Sequence, residues 1–88
     1  MSEIRMRFIG RQQAPYGEEV NRWEIFTDAP EEEVWEFCKR EICSNRPVKT
    51  KAEWEQMKGN FEEYTKGYVK LTKVGSRWWF EKHFPNLD

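Results

Sequence analysis

A single histidine, His83, and two cysteines, Cys38 and Cys43, are the side chains of this chain that could form a nucleophile and its base. A thiol becomes a catalytic nucleophile when an imidazole lies within hydrogen-bond reach. Around Cys38 the apolar residues recur with helical period, which turns this thiol toward a core. His83 falls on a strand near the end of the sequence, so no dyad is expected. Five residues apart in a helix, Cys38 and Cys43 should sit on different faces and too far apart for a bridge. They read as two free, buried thiols of a reducing compartment. A structural zinc site needs four suitable ligands, and two cysteines at this spacing with one histidine do not supply them. The carboxylates Glu31, Glu32, Glu33 and Glu36 could hold a metal or serve as acid and base. Their place at the start of a helix explains them more simply, as charges complementing its positive end. No glycine pattern of a phosphate-binding loop is present. The sequence therefore supports no catalytic residue, no metal and no cofactor, and the expectation is a non-enzymatic protein.

The 88 residues make one domain spanning residues 1–88. Aromatic residues are 16% of the chain, which gives a small domain enough apolar bulk for a core despite its many charges. With 15 basic and 16 acidic residues the net charge is -1, so no overall field draws the chain to nucleic acid or membrane. The charges are nevertheless segregated: the first helix starts acidic, whereas the strand segments carry Arg5, Arg7, Arg11, Lys66, Lys70, Lys73, Arg77 and Lys82. There is no apolar run near the roughly 18 residues of a membrane span. The N-terminal MSEIRMRFIG lacks the apolar stretch of a signal peptide. The expected compartment is the cytoplasm.

Period-two alternation in IRMRFIG sets Ile4, Met6 and Phe8 against Arg5 and Arg7, a half-buried strand. RQQAPYGEEVN reads as a connection, with Pro15 and Gly17 marking a turn. RWEIFT is the second strand, with Trp23 and Ile25 facing one way and Arg22, Glu24 and Phe26 the other. In TDAPEEEVWEFCKREICSNRP, Asp28 is the expected N-cap and Glu31 its capping-box partner. Val34, Phe37, Cys38 and Ile42 form the apolar stripe, Trp35 flanks it, and Asn45 and Pro47 end the helix. Thr50 and Glu53 repeat the capping-box spacing ahead of Trp54, Met57, Phe61 and Tyr64, one stripe of a second helix that reaches about residue 65 despite Gly59. YVKLTKVGSRWWFEKHF is a hairpin about Gly75–Ser76, a two-residue turn with glycine first. That turn sets Val74 opposite Arg77, Leu71 opposite Phe80, Lys70 opposite Glu81 and Tyr68 opposite His83. The implied fold is α+β, in the order β-β-α-α-β-β: a small antiparallel sheet of about four strands with two helices on one face. Strand order is not readable.

One sheet face holds Val69, Leu71, Trp78 and Phe80 and must be the core. The other collects Arg5, Arg7, Arg22, Phe26, Tyr68, Lys70, Trp79 and His83, with Glu24, Thr72 and Glu81 among them, and meets solvent. Exposed aromatics among arginines favour a protein-binding module, with Trp79, Tyr68 and Phe26 as anchors and Arg5, Arg7 and Arg22 around them, Lys70 and His83 completing the surface. The alternative is single-stranded nucleic acid, whose bases stack on aromatic rings beside basic groups. Such a surface resembles the RNA recognition motif in style only: the element order differs and the motif's glycine-aromatic signature is missing. Glu24 and Glu81 on the same face would repel phosphate, which favours a protein partner. Self-association through an unpaired sheet edge is a third possibility. A short, charged, aromatic-rich chain without motifs has the style of accessory and inhibitor proteins of phages and mobile elements, which act by occluding a surface.

Overall fold

The alternating segments form the first two strands, β1 (Arg5–Gln13) and β2 (Glu19–Phe26), paired antiparallel with Met6 opposite Ile25 and Arg7 opposite Glu24. The computed structural model describes residues 3–13 and 18–85. Both strands run further than the alternation alone suggests. Arg11, Gln12 and Gln13 pair with Asn21, Val20 and Glu19, within the segment expected to be a connection. The extension has a template: Glu19 and Val20 also pair with Phe84 and His83 of the last strand. Pro15 and Gly17, the expected turn markers, lie outside the described residues. The β1–β2 register slips between Phe8 and Gly10, leaving Ile9 as the extra residue of a bulge.

Helix α1 spans Glu31–Glu41 and carries Glu31, Glu32 and Glu33 in its first turn. Its N-cap is Pro30, without a side-chain cap, and not Asp28. The residue before a proline is pushed out of the helical region. Ala29 therefore cannot open the helix, and the first helical bond runs from the Val34 N–H to the Pro30 carbonyl. Thr27 Oγ1 accepts the Ala29 N–H at 3.1 Å instead. At the other end Ser44 and Asn45 take left-handed φ of 54° and 60°, which stops the helix. The Cys43 N–H donates to the Cys38 carbonyl at 3.1 Å, a widened i to i+5 turn. It rotates Cys43 onto the same buried cluster as Cys38, so the expectation of two different faces fails while both thiols are free. Burial pushes the Cys38 thiol up to about 12, with Cys43 adding to the effect, and raises Cys43 as well.

The second helical segment is two helices rather than one, α2 (Lys51–Glu55) and α3 (Phe61–Tyr64). The Thr50–Glu53 capping box forms as the spacing requires. The break follows from Asn60, whose side chain accepts the Glu63 N–H at 3.3 Å and starts a new helix beside Gly59. The chain folds back so that the Trp54 indole N–H donates to the Tyr64 carbonyl at 2.8 Å and the two rings stack at 4.5 Å. Phe61 is left 71% exposed, so the expected continuous stripe does not reach the core. α2 packs beside the edge strand that begins at Tyr68, and the helical residues of the core cluster come from α1.

Strands β3 (Tyr68–Val74) and β4 (Arg77–Phe84) form the final hairpin in the register expected from the turn, from Val74 opposite Arg77 to Tyr68 opposite His83. Gly75 has φ 64°, as the first position of that turn demands. Gly67, at φ 75°, admits no other residue, because a Cβ there would collide with the His83 carbonyl. The sheet order is β1-β2-β4-β3. The fold is thus α+β, with a four-stranded antiparallel sheet. The core lies between the sheet and α1, around the fully buried Ile25, Val34, Cys38 and Phe80. An aromatic row crosses it: Phe8 packs on Trp23 at 5.1 Å, Trp23 on Phe80 at 6.1 Å, and Trp35 of α1 meets Phe80 edge-on at 6.1 Å.

Candidate functional site

The strand order brings the residues of the second sheet face into four cross-strand rows. Arg5, Phe26, Arg77 and Val74 make the first, and Arg7, Glu24, Trp79 and Thr72 the second. Arg22, Glu81 and Lys70 make the third, and Val20, His83 and Tyr68 the fourth. All eleven residues expected on this face are there. Period two from Trp79 also puts Arg77 on it, and period two from Thr72 puts Val74 there, parities that could have named both from the sequence. Glu18, which joins the face from just before β2, gave no such signal.

The rows are tied together by charge. Glu24 is 1% exposed although no helix covers it. Its two carboxylate oxygens each accept a guanidinium N–H at 2.7 Å, Oε1 from Arg7 and Oε2 from Arg77. The two arginines lie over the carboxylate and exclude water while their own outer edges stay exposed. The Arg77 guanidinium also sits 5.8 Å from the Phe26 ring, which is 41% exposed. Arg22 donates to Glu81 and covers the half-buried Trp79 at 5.4 Å. Arg5 pairs with Glu3 at the exposed end of its row, and Lys70 is exposed opposite Glu81.

At the other end of the face the groups are closed in. Tyr68 is 7% exposed, stacked on His83 at 4.6 Å and flanked by Trp54 at 5.0 Å. Its hydroxyl donates to Glu18 Oε1 at 3.1 Å. His83 has a carboxylate oxygen at each ring nitrogen, Glu18 at 3.0 Å and Glu81 at 3.1 Å. Tyr68 therefore lies on the expected face but is covered, and the expectation that it is exposed fails: α2 and Glu18 close over it. The open part of the surface is the end around Phe26, Trp79 and the arginines. Burial, together with the bond to the Glu18 carboxylate, pushes the Tyr68 phenol up to about 12.

Burial alone would raise the Glu81 carboxyl, but the bonds from Arg22 and His83 outweigh it and hold it below the usual range. A group whose acidity rises on folding stabilises the native state above its unfolded pKa. That contribution is lost as pH falls through the lowered folded value. Glu63, held at about 2 by Lys49 and Lys66, acts in the same acid window. Denaturation at a series of pH values should show stability steady above the ordinary carboxylate range and falling below it. Glu81→Gln should flatten part of that fall and leave the part due to Glu63.

Cys38 and Cys43 do not form a dyad with His83: the two thiols belong to the core under α1, and His83 lies on the opposite face of the sheet. Among the described residues no group of three or more His, Cys, Asp or Glu is placed to hold a metal. No helix among them is long and apolar enough to cross a membrane. What the face can do chemically is present guanidinium groups at fixed positions beside aromatic rings. Comparison with known proteins adds no family to this description: no family model matches the chain, and neither the curated proteins nor the solved structures contain a match.

Proposed function

We propose that the chain is a non-enzymatic protein-binding module that uses the open end of the uncovered sheet face. Phe26 and Trp79 are the anchors, and Arg5, Arg7, Arg22 and Arg77 surround them. The observation that carries this reading is the buried Glu24 carboxylate beneath Arg7 and Arg77. An arginine free in solvent loses side-chain freedom when it enters an interface. Here that freedom is already restricted, because Glu24 orients two guanidinium groups and Glu81 a third. Arg and Trp are the side chains most enriched at energetic centres of interfaces. The matching partner surface offers carboxylates beside an apolar pocket, and the module acts by occupying that surface.

The ion pairs also remove an objection to single-stranded nucleic acid. Glu24 and Glu81, which should repel phosphate, are both neutralised by arginine. Affinity that falls steeply with salt would mark that second reading.

The test is capture by the immobilised protein from a lysate of its own source, in nuclease-treated and untreated halves, repeated with Phe26→Ala and Trp79→Ala. A protein recovered from both halves, and lost by about 2 kcal/mol of binding or more with Phe26→Ala at unchanged melting temperature, is the expected result. Material lost after nuclease treatment would replace this reading with the second. Partner retention by both variants would overturn it.

A further inference from the structure

β1 and β3 are the two edges of the sheet, and they are not equivalent. On β3 the Val69 N–H donates to the Lys49 carbonyl at 2.9 Å, and Trp54 of α2 packs on Tyr68. Along β1 no described backbone group outside β2 makes such a bond. The side chains of β1 are also uncovered. On the α1 side, Met6 and Phe8 are 40% and 55% exposed, because the core is built on β2, β3 and β4. On the other side, Arg5 and Arg7 are 75% and 68% exposed.

A strand added to this edge would meet two rows of opposite character. Its residues facing the α1 side would extend the row Phe8–Trp23–Phe80, and those facing the other side would lie against Arg5 and Arg7. We propose that β1 receives an extended segment of a partner protein in which acidic and apolar residues alternate, added as a fifth strand. Main-chain bonds supply affinity in such strand addition, and alternate side chains supply specificity. This goes beyond the sheet-face reading, because it places a contact on the edge of β1 rather than across Phe26 and Trp79.

A second copy of the chain is a poorer occupant of this edge than an acidic strand. A two-fold axis centred on Met6 sets Arg5 against Arg7, and one centred on Arg7 sets Arg7 against itself; one centred on Arg5 sets Arg5 against its own copy, with Glu3 opposite Arg7 on either side. Like charges directly opposite are destabilising. A two-fold centred on Phe8 puts the Ile9 bulge into both strands next to the axis, where it interrupts pairing. The arginines thus disfavour another β1 in the Met6 and Arg7 registers while attracting an acidic strand in any register.

The experiment uses a synthetic peptide of about seven residues, a strand's ordinary length, alternating glutamate with valine, and its lysine–valine counterpart. Binding is followed by the amide resonances of the intact protein. The acidic peptide should shift residues 5–9, bind more weakly as salt rises, and leave its affinity unchanged in Phe26→Ala. Arg5→Glu should lower that affinity at least about fivefold, the range of one or two exposed ion pairs, and should improve binding of the lysine peptide, with the melting temperature unchanged. Binding of neither peptide, equal binding of both, or shifts centred on Phe26 and Trp79 would overturn the proposal. So would a dimer in sedimentation that Phe8→Ser dissociates.

Discussion

Replacing Arg7 and Arg77 together by alanine should destabilise the domain by about 3 kcal/mol. Glu24 is 1% exposed, and these two guanidinium groups are its partners at 2.7 Å. Taking one partner from a buried ion pair costs roughly 3–5 kcal/mol when the remaining charge stays uncompensated. The lower end applies because the two arginine side chains are themselves 68% and 48% exposed, so deleting them lets some water reach the carboxylate. Each single variant leaves one guanidinium in place and should cost clearly less than half of the pair's total, so the two changes are not additive. Adding Glu24→Leu to the double variant removes the charge and should recover most of the loss, since buried ion pairs often exchange for apolar groups at little net cost. Urea denaturation followed by tryptophan fluorescence reads all of these. If the double variant costs under about 1 kcal/mol, an ordinary surface value, Glu24 does not hold the arginines. The preorganisation on which the binding reading rests would then go with it.

Phe80→Ala should cost about 3–5 kcal/mol, the range for removing a buried phenylalanine ring. Phe80 has no exposure and sits on the inner strand β4, opposite Trp23 on one side and Leu71 on the other. Trp35 meets it edge-on from α1, so its ring joins helix to sheet. At roughly 0.05–0.15 kcal/mol per residue a chain of this length has only about 4–13 kcal/mol of net stability. The variant should therefore be largely unfolded at temperatures where the native chain is folded. Phe8→Ala is the control within the same aromatic row. Phe8 is 55% exposed at the open end, and its loss should cost under about 1 kcal/mol. Equal losses from the two changes in thermal or urea melts would mean that the row's end at β1 is covered, which would also count against strand addition there.

The candidate face was legible in its membership but not in its state. Alternation placed Arg5, Arg7, Arg22, Phe26, Lys70, Trp79, Tyr68 and His83 on one side of a sheet, and the strands do place them so. Alternation has no term for what lies on top of a residue. It therefore left Tyr68 as an exposed anchor, whereas Trp54 and Glu18 close over it. It also left Glu24 as a free negative charge, whereas that carboxylate is buried under two arginines.

Features under short-range stereochemical control are readable from the chain alone. The final hairpin is the clearest case: Gly75 sets the turn, the turn sets the register, and every pair from Val74–Arg77 to Tyr68–His83 follows. The Thr50–Glu53 box is another, because both of its bonds close within three residues. Features that depend on contacts between distant segments emerge only when the chain is folded. The pairing of β2 with β4 sets Glu24 beside Trp79 and Arg22 beside Glu81, across more than fifty residues of chain. Nothing local favours that pairing over another; it is selected because it buries Ile25, Trp78 and Phe80 under α1 at once. The break of the second helical segment at Asn60 belongs here too. A helical stripe through Trp54 and Tyr64 was allowed by period, but the stack of those two rings, with Trp54 also packed against Tyr68, is available only to a chain that folds back.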